Sequence, residues 1–284
     1  MEGLAVYKSI FEKHLEAYLD KLQDVEKPLL EAVKYSVLDG GKRIRPALVF
    51  IGANFMGRTV DEVMPLALCV EFIHSYSLVH DDLPAIDNDD LRRGKPSTHK
   101  KFGESLAVLT GDALLNLAVE AGLSKEFADP RYINAVKYIF TNTGMQGMIG
   151  GQCLDIKKSK QTSKEELLKI YSLKTSCLLK CSLLAGAIAS GARRDEQALL
   201  ADFGDKLGVI FQIVDDILDK IGSEEDIGKR VGHDEVNYVD IVGMEQAKAD
   251  IAELYRQANE ILDQFGARAR EMKELLFYVA NRTK

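Results

Sequence analysis

The sequence predicts an all-α protein, a single domain over residues 1–284 built as a helical bundle around a central cavity. Apolar residues recur at helical spacing along nearly the whole chain, and alternating β-type runs are scarce. No linker, low-complexity tract or short repeat divides it. Two aspartate clusters, Asp81-Asp82-Leu83-Pro84-Ala85-Ile86-Asp87 and Asp215-Asp216-Ile217-Leu218-Asp219, each follow a strongly apolar run, residues 72–79 and 207–214. A desolvated carboxylate costs several kcal/mol unless it is paired or metal-bound. Two such clusters next to two apolar helices therefore predict a shared cavity in which they face each other across bound cations.

The elements follow in order. Periodicity places helices at about residues 4–22, 29–38, 44–56 and 61–82, then 104–121 and 131–149, and finally 164–190, 195–220, 244–264 and 267–281. Gly40-Gly41, Gly57, Asp129-Pro130, Gly191 and Gly222 punctuate them. Ser163-Lys164-Glu165-Glu166 reads as a capping box opening the helix that carries Lys174. Pro84 breaks the helix that ends in the first aspartate pair, so residues 83–88 are not expected to be regular helix.

With 284 residues, 46% hydrophobic and 29% charged, the chain has the composition of a soluble globular protein. A net charge of −7 argues against general nucleic-acid binding, which needs basic surface. Cys69, Cys153, Cys177 and Cys181 have neither a secreted disulfide pattern nor zinc-ligand spacing, and are expected to be buried thiols. The N-terminal stretch lacks the continuous apolar core of a signal peptide, and no run of ~18 uncharged residues offers a membrane span. The expectation is a cytoplasmic protein.

The two aspartate motifs differ in geometry. Asp215 and Asp219, four apart, lie on one face of an unbroken helix and can bracket a metal, with Asp216 beside them. Asp82 and Asp87, five apart, would stand about 140° apart on an ideal helix. The break at Pro84 lets Asp87 swing back toward Asp81. Hard cations such as Mg²⁺ take one or two protein carboxylates each and complete their shells with water and phosphate oxygens, so the motifs point to a diphosphate substrate. The cations that would meet it are also present. Gly40-Gly41-Lys42-Arg43-Ile44-Arg45-Pro46 sets three cations in four positions at a helix start, and Arg92-Arg93-Gly94 adds a pair of phosphate-binding forks. A solvated basic loop and pairing with Asp89 or Asp90 are the structural alternatives.

Taken together, these segments resemble one family. The order is Gly-Gly-Lys-Arg-Ile-Arg-Pro, then Glu71 through Asp82, Asp87 through Arg92-Arg93-Gly94, Gly151-Gln152 with Asp155, Lys174-Thr175, and Phe211-Gln212-Ile213-Val214-Asp215-Asp216 with Asp219. This is similar to the trans-isoprenyl diphosphate synthases, and most of all to their bacterial farnesyl diphosphate synthase branch. The resemblance implies the all-α isoprenoid synthase fold, the activity of a geranyltranstransferase, and a homodimer. It implies that Asp81, Asp82, Asp87 and Asp215, supported by Asp216 and Asp219, hold about three Mg²⁺ ions on the allylic diphosphate, which Arg92, Lys174 and Lys229 also bind. Gly41, Lys42, Arg45, His74 and Arg93 would hold isopentenyl diphosphate, and Thr175 and Gln212 would line the reacting carbon chain. Tyr76, five residues before Asp81, would floor the cavity and stop growth at farnesyl length; a small residue there accompanies longer products.

One departure stands out. After Gly228 to Asp234 the chain runs directly through Glu235-Val236-Asn237-Tyr238, so a short polar loop with a further lysine is missing. The ending Asn281-Arg282-Thr283-Lys284 resembles a basic tail that folds over the isopentenyl site, although terminal basic residues are often merely solvated. Rival readings are a longer-chain synthase, separated only by the Tyr76 region, a terpene cyclase, and a non-catalytic synthase subunit. The symmetric second Asp-Asp-x-x-Asp and the separate basic loop disfavour the cyclase. The intact aspartates and arginines disfavour the subunit.

Overall fold

The computed structural model describes residues 2–38, 40–124, 129–221 and 236–282. Its helices are α1 (Glu2–Asp20), α2 (Lys27–Leu38), α3 (Ile44–Phe55), α4 (Val60–Asp81), α5 (Thr98–Phe102), α6 (Glu104–Gly122), α7 (Pro130–Thr143) and α8 (Met148–Asp155). These are followed by α9 (Lys164–Tyr171), α10 (Cys177–Ala189), α11 (Arg194–Ile221), α12 (Tyr238–Val242), α13 (Met244–Asp263) and α14 (Arg270–Ala280). Among the described residues the only strands are Leu91–Arg92 and Lys95–Pro96, a two-residue antiparallel pair. The chain is all-α.

Helices α4 and α10 are apolar on every side, and such helices are stable only when neighbours surround them. Accordingly α10 packs against α3, α4, α7 and α11, while α4 packs against α3 and α6. One apolar core joins Phe50, Phe72, Leu114, Leu183 and Phe203; a smaller cluster of Leu167, Ile170, Tyr171, Ile213, Tyr238 and Ala247 sits between α9, α11 and α12. The predicted capping box is present: Ser163 N–H donates to Glu166 at 2.9 Å and Glu166 N–H donates back to Ser163 Oγ at 3.2 Å.

Three expectations are corrected. The segment 131–149 is two helices, because the chain turns through Gly144 and Gly147, and a Cβ on Gly147 would collide with the Asn142 carbonyl. The segment 164–190 is interrupted by a π-type turn, Ser172–Ser176. Cys153 is exposed on α8, whereas the other three thiols are buried. The hairpin at residues 91–96 carried no alternating signal; Arg93 and Gly94, both at positive φ, make its two-residue turn.

Three segments reach the length and hydropathy of a membrane crossing: Val60–Asp81, Glu104–Gly122 and Lys164–Ala189. The first and third are mostly covered by the rest of the protein, while less than half of the second is.

Candidate active site

The first aspartate motif is a helix end folded back on itself. Helix α4 stops at Asp81 and Asp82 caps it. Pro84 has no N–H to continue the ladder, and residues 83–88 form turns, as the sequence predicts. The Asp87 N–H donates to the Asp81 carbonyl at 2.9 Å, which returns the third aspartate to the first. Burial pushes the Asp81 carboxyl up to about 7; Asp87 and Asp82 add to the rise, and Lys174 and Arg92 oppose it. Asp82 is buried and paired with Arg92, whose guanidinium also reaches Asp89 at 3.5 Å. Asp90 pairs with Lys100 at 2.7 Å. His80 does not orient an aspartate: its Nε2 lies 3.1 Å from the Val108 carbonyl, against the bare backbone of Gly111.

The basic loop sorts its cations by backbone twist. Gly40, Gly41 and Arg43 all have positive φ. The twist turns Arg43 inward, 4% exposed, where it pairs with Glu71 at 2.6 Å and donates to the Val37 carbonyl at 2.7 Å. On either side, Lys42 is exposed and Arg45 is partly buried. Arg93 donates to the Gly40 carbonyl at 2.7 Å, and its guanidinium lies 2.9 Å from where a Cβ on Gly41 would stand. Burial holds Arg45 down to about 10. His74 is held neutral, well below the usual histidine range, by burial and then by Arg45, Arg93, Arg43 and Arg92. Burial and nearby guanidiniums both disfavour the charged imidazole, so they act on His74 in the same direction.

Lys174 and Thr175 stand on the π-type turn, which is wedged between two helices. A Cβ on Gly151 of α8 would lie 2.4 Å from the Lys174 nitrogen, and one on Gly208 of α11 would lie 2.3 Å from Ser176 Oγ, so only glycine permits either approach. Lys174 is ion-paired with Asp155 at 2.5 Å and also feels Asp81 and Asp87. Thr175 Oγ1 donates to Gln212 Oε1 at 2.9 Å.

The second motif lies within α11. Asp215 pairs with Arg282 at 2.6 Å. The Arg282 side chain is 3% exposed, donates to the Phe211 carbonyl at 2.6 Å and stacks 3.9 Å over the Phe211 ring, so the tail arginine is seated rather than solvated. Asp216 faces the other way, into the smaller core, where it accepts from the Tyr171 hydroxyl, from the Tyr238 N–H at 2.7 Å and from Gln212 Nε2 at 3.2 Å. The basic loop and this motif adjoin: burial and Arg282 lower Lys42, and Asp215 acts on both Lys42 and Arg45. Tyr76 is 7% exposed beneath Asp81, and burial followed by that carboxylate pushes its hydroxyl up to about 12. A cavity of about 270 Å³, lined by Val214, Leu218, Ile251 and Arg282 among others, adjoins the motif. A smaller one, about 130 Å³ near Arg58 and Asp129, touches none of the residues above.

Lys229 and most of the departure after Gly228 lie outside the described residues. Sequence reasoning left Asp155, Arg282 and Glu71 out of the candidate set, although Asp155 lay within a quoted segment and Arg282 within the basic tail.

Residues 26–276 match the polyprenyl synthetase family. The chain is 39% identical to a farnesyl diphosphate synthase of Bacillus subtilis (strain 168), over 98% of this chain and 97% of that one. It is 41% identical to a chloroplastic geranylgeranyl pyrophosphate synthase of Capsicum annuum, over 93% of this chain and 74% of the relative. A geranyltransferase from Helicobacter pylori, solved in complex with magnesium and isoprenyl diphosphate, superposes with a TM-score of 0.84 at 32% identity, covering 99% of this chain and 97% of that one. With aspartates, arginines and the lysine-bearing turn gathered as described, the chain belongs to the polyprenyl synthetase family and is a prenyltransferase of that family.

Proposed function

We propose that this protein joins isopentenyl diphosphate to dimethylallyl and geranyl diphosphate and stops at farnesyl diphosphate. The observation that carries the reading is the pairing of opposites. A buried carboxylate motif, raised by burial against the pull of Lys174 and Arg92, adjoins a buried histidine lowered by burial and by four arginines. A diphosphate with its cations satisfies both.

The donors fit a hard divalent cation. Asp81, Asp87, Asp215 and Asp219 offer carboxylate oxygens, and burial raises Asp81 in spite of Lys174 and Arg92. A hard divalent cation takes one or two such carboxylates and shares substrate phosphate. Magnesium, three ions in this reading, would be held by these residues with Asp82 in support, and when bound it neutralises the diphosphate leaving group.

Arg92, fixed by Asp82, and Lys174, fixed by Asp155, bind the allylic diphosphate, with Lys229 as a further ligand. Lys42, Arg45, Arg93 and neutral His74 hold the isopentenyl diphosphate at the Gly41 turn. The allylic C–O bond breaks with its electron pair passing to diphosphate. The isopentenyl double bond attacks the resulting carbocation, and loss of a proton regenerates an alkene. Thr175 and Gln212 line that step with oxygen dipoles, and no described side chain there is an obvious base; the departed diphosphate takes the proton. Tyr76 closes the floor. A homodimer completes the reading, supported by the apolar face of α6, where Leu109 is 54% exposed.

Incubation with labelled isopentenyl diphosphate, geranyl diphosphate and Mg²⁺, then chain-length analysis, tests this. A C15 product lost on chelation is expected, and Tyr76→Ala should lengthen it. The similarity to a geranylgeranyl synthase favours C20 as the second reading. A C20 product from the parent chain would return Tyr76 to a plain core role.

A further inference from the structure

We infer that Asp216 is a positioning residue that orients the Gln212 amide. Its place in the motif suggests a metal ligand, but its surroundings assign it this other task. The inference rests on the prenyl-transfer reading for its consequence, though not for its geometry.

Three donors from three elements converge on this carboxylate: the Tyr171 hydroxyl at the end of α9, the Tyr238 N–H at the start of α12, and Gln212 Nε2 one turn earlier on α11. The side chain is buried, 3% exposed for the residue as a whole. An ionised carboxylate only accepts, so it dictates which end of the Gln212 amide faces it: the NH₂ must turn toward Asp216. The carbonyl oxygen is then left on the Thr175 side, where it accepts the Thr175 hydroxyl proton at 2.9 Å. That bond in turn points the Thr175 hydroxyl hydrogen at Gln212 and leaves the threonine oxygen's lone pairs free to face outward. The order of donation therefore runs Thr175 to Gln212 to Asp216, and the wall beside the reacting carbons presents oxygens instead of N–H groups. A flipped amide would set two N–H dipoles against a developing carbocation, the wrong sign for the transition state.

Asp215 is held differently. It lies on another face of α11 and is paired with Arg282, a cation that metal and diphosphate can replace. Adjacent aspartates of one motif thus have separate tasks, one toward the diphosphate and one toward the amide behind it.

The test compares Asp216→Asn with Asp215→Asn. Asparagine at 216 keeps the shape but brings a donor, which removes the reason for the Gln212 NH₂ to face it. Expected for Asp216→Asn is a fall in kcat of roughly 100-fold, at the low end of the scale for losing one oriented dipole, with KM for both substrates nearly unchanged. Affinity for Mg²⁺ with inorganic diphosphate, measured by calorimetry, should stay within about threefold of the parent, whereas Asp215→Asn should lose roughly tenfold or more. In protein labelled at glutamine ¹⁵N, the Gln212 side-chain amide should be a single protected signal that Asp216→Asn broadens or shifts. An equal loss of Mg²⁺–diphosphate affinity in both variants would make Asp216 a ligand and overturn the inference; so would an unchanged kcat or an unmoved amide signal. Should Asp216→Asn fail to fold, Tyr171→Phe removes one donor to the carboxylate and should shift the amide signal without changing Mg²⁺–diphosphate affinity. If the parent chain makes no prenyl product, the functional reading fails, while calorimetry and the amide signal still decide the role of Asp216.

Discussion

The first aspartate motif hangs from the end of a helix, whereas the second lies inside one, and this difference decides which carboxylates can act together. At α4 the break after Asp82 lets Asp87 return to Asp81 through a backbone hydrogen bond, so residues that a helix would splay apart share a site. In α11 no break intervenes. Asp215 and Asp219 share a face, and Asp216, about 100° around, is carried into the core beside Tyr171 and Tyr238. The same residue letters thus yield a converging cluster in one place and a division of labour in the other.

The largest expected effect breaks the first side of the comparison. Asp81→Ala should lower kcat by roughly 10³-fold or more, as losses of central charge-stabilising groups do, with no fall in melting temperature. Near-normal turnover would remove the converging-cluster view. Pro84→Ala sharpens it. Restoring an N–H at the break lets the helix run on and draws Asp87 away, so a fall of roughly tenfold in Mg²⁺–diphosphate affinity is expected. Unchanged calorimetry would show that the turn does not depend on the proline.

Proton linkage separates the motifs further. Burial holds the Asp81 carboxyl up to about 7, above the unfolded value of about 4. The folded protein therefore keeps this proton to higher pH than the unfolded chain does. The stability so gained is complete below about pH 4 and is lost as pH rises through 7. In the absence of metal and diphosphate, Asp81→Asn should be more stable than the parent at pH 8 by about 1–2 kcal/mol, and equal to it near pH 4. Denaturant titrations at both values check the sign. The smallest effect falls on the second motif. Arg282→Gln releases Asp215 and should tighten Mg²⁺ binding without substrate by a few-fold, since a nearby ion pair is worth about 1 kcal/mol; weaker binding would show that Arg282 does not compete with the metal.

What could be read from the chain follows from the range of each signal. Most long helices and the break at Pro84 depend on neighbours a few residues away, and they were legible; the interruptions within 131–149 and 164–190 were not. That Arg43 points inward and pairs with Glu71 while Lys42 stays exposed was hidden, because it depends on left-handed backbone at Gly40, Gly41 and Arg43 and on Glu71 in another helix. The seating of Arg282 on Asp215 and of Tyr238 on Asp216 is tertiary and leaves no periodic trace. Cys153 sits in an apolar stretch, yet its side of α8 happens to face outward.

The π-type turn at Ser172–Ser176 has a consequence for how this chain can change. It holds one residue more than an α-helical turn, so deleting any residue within it would let α9 and α10 fuse into one regular helix. Every side chain beyond the deletion would then rotate by about 100° relative to those before it. Lys174 could not keep Asp155 while Thr175 kept Gln212. Substitutions can be tried here one at a time, but loss of a single codon in this stretch would dismantle both contacts at once, leaving the length of the segment under tighter constraint than its spelling.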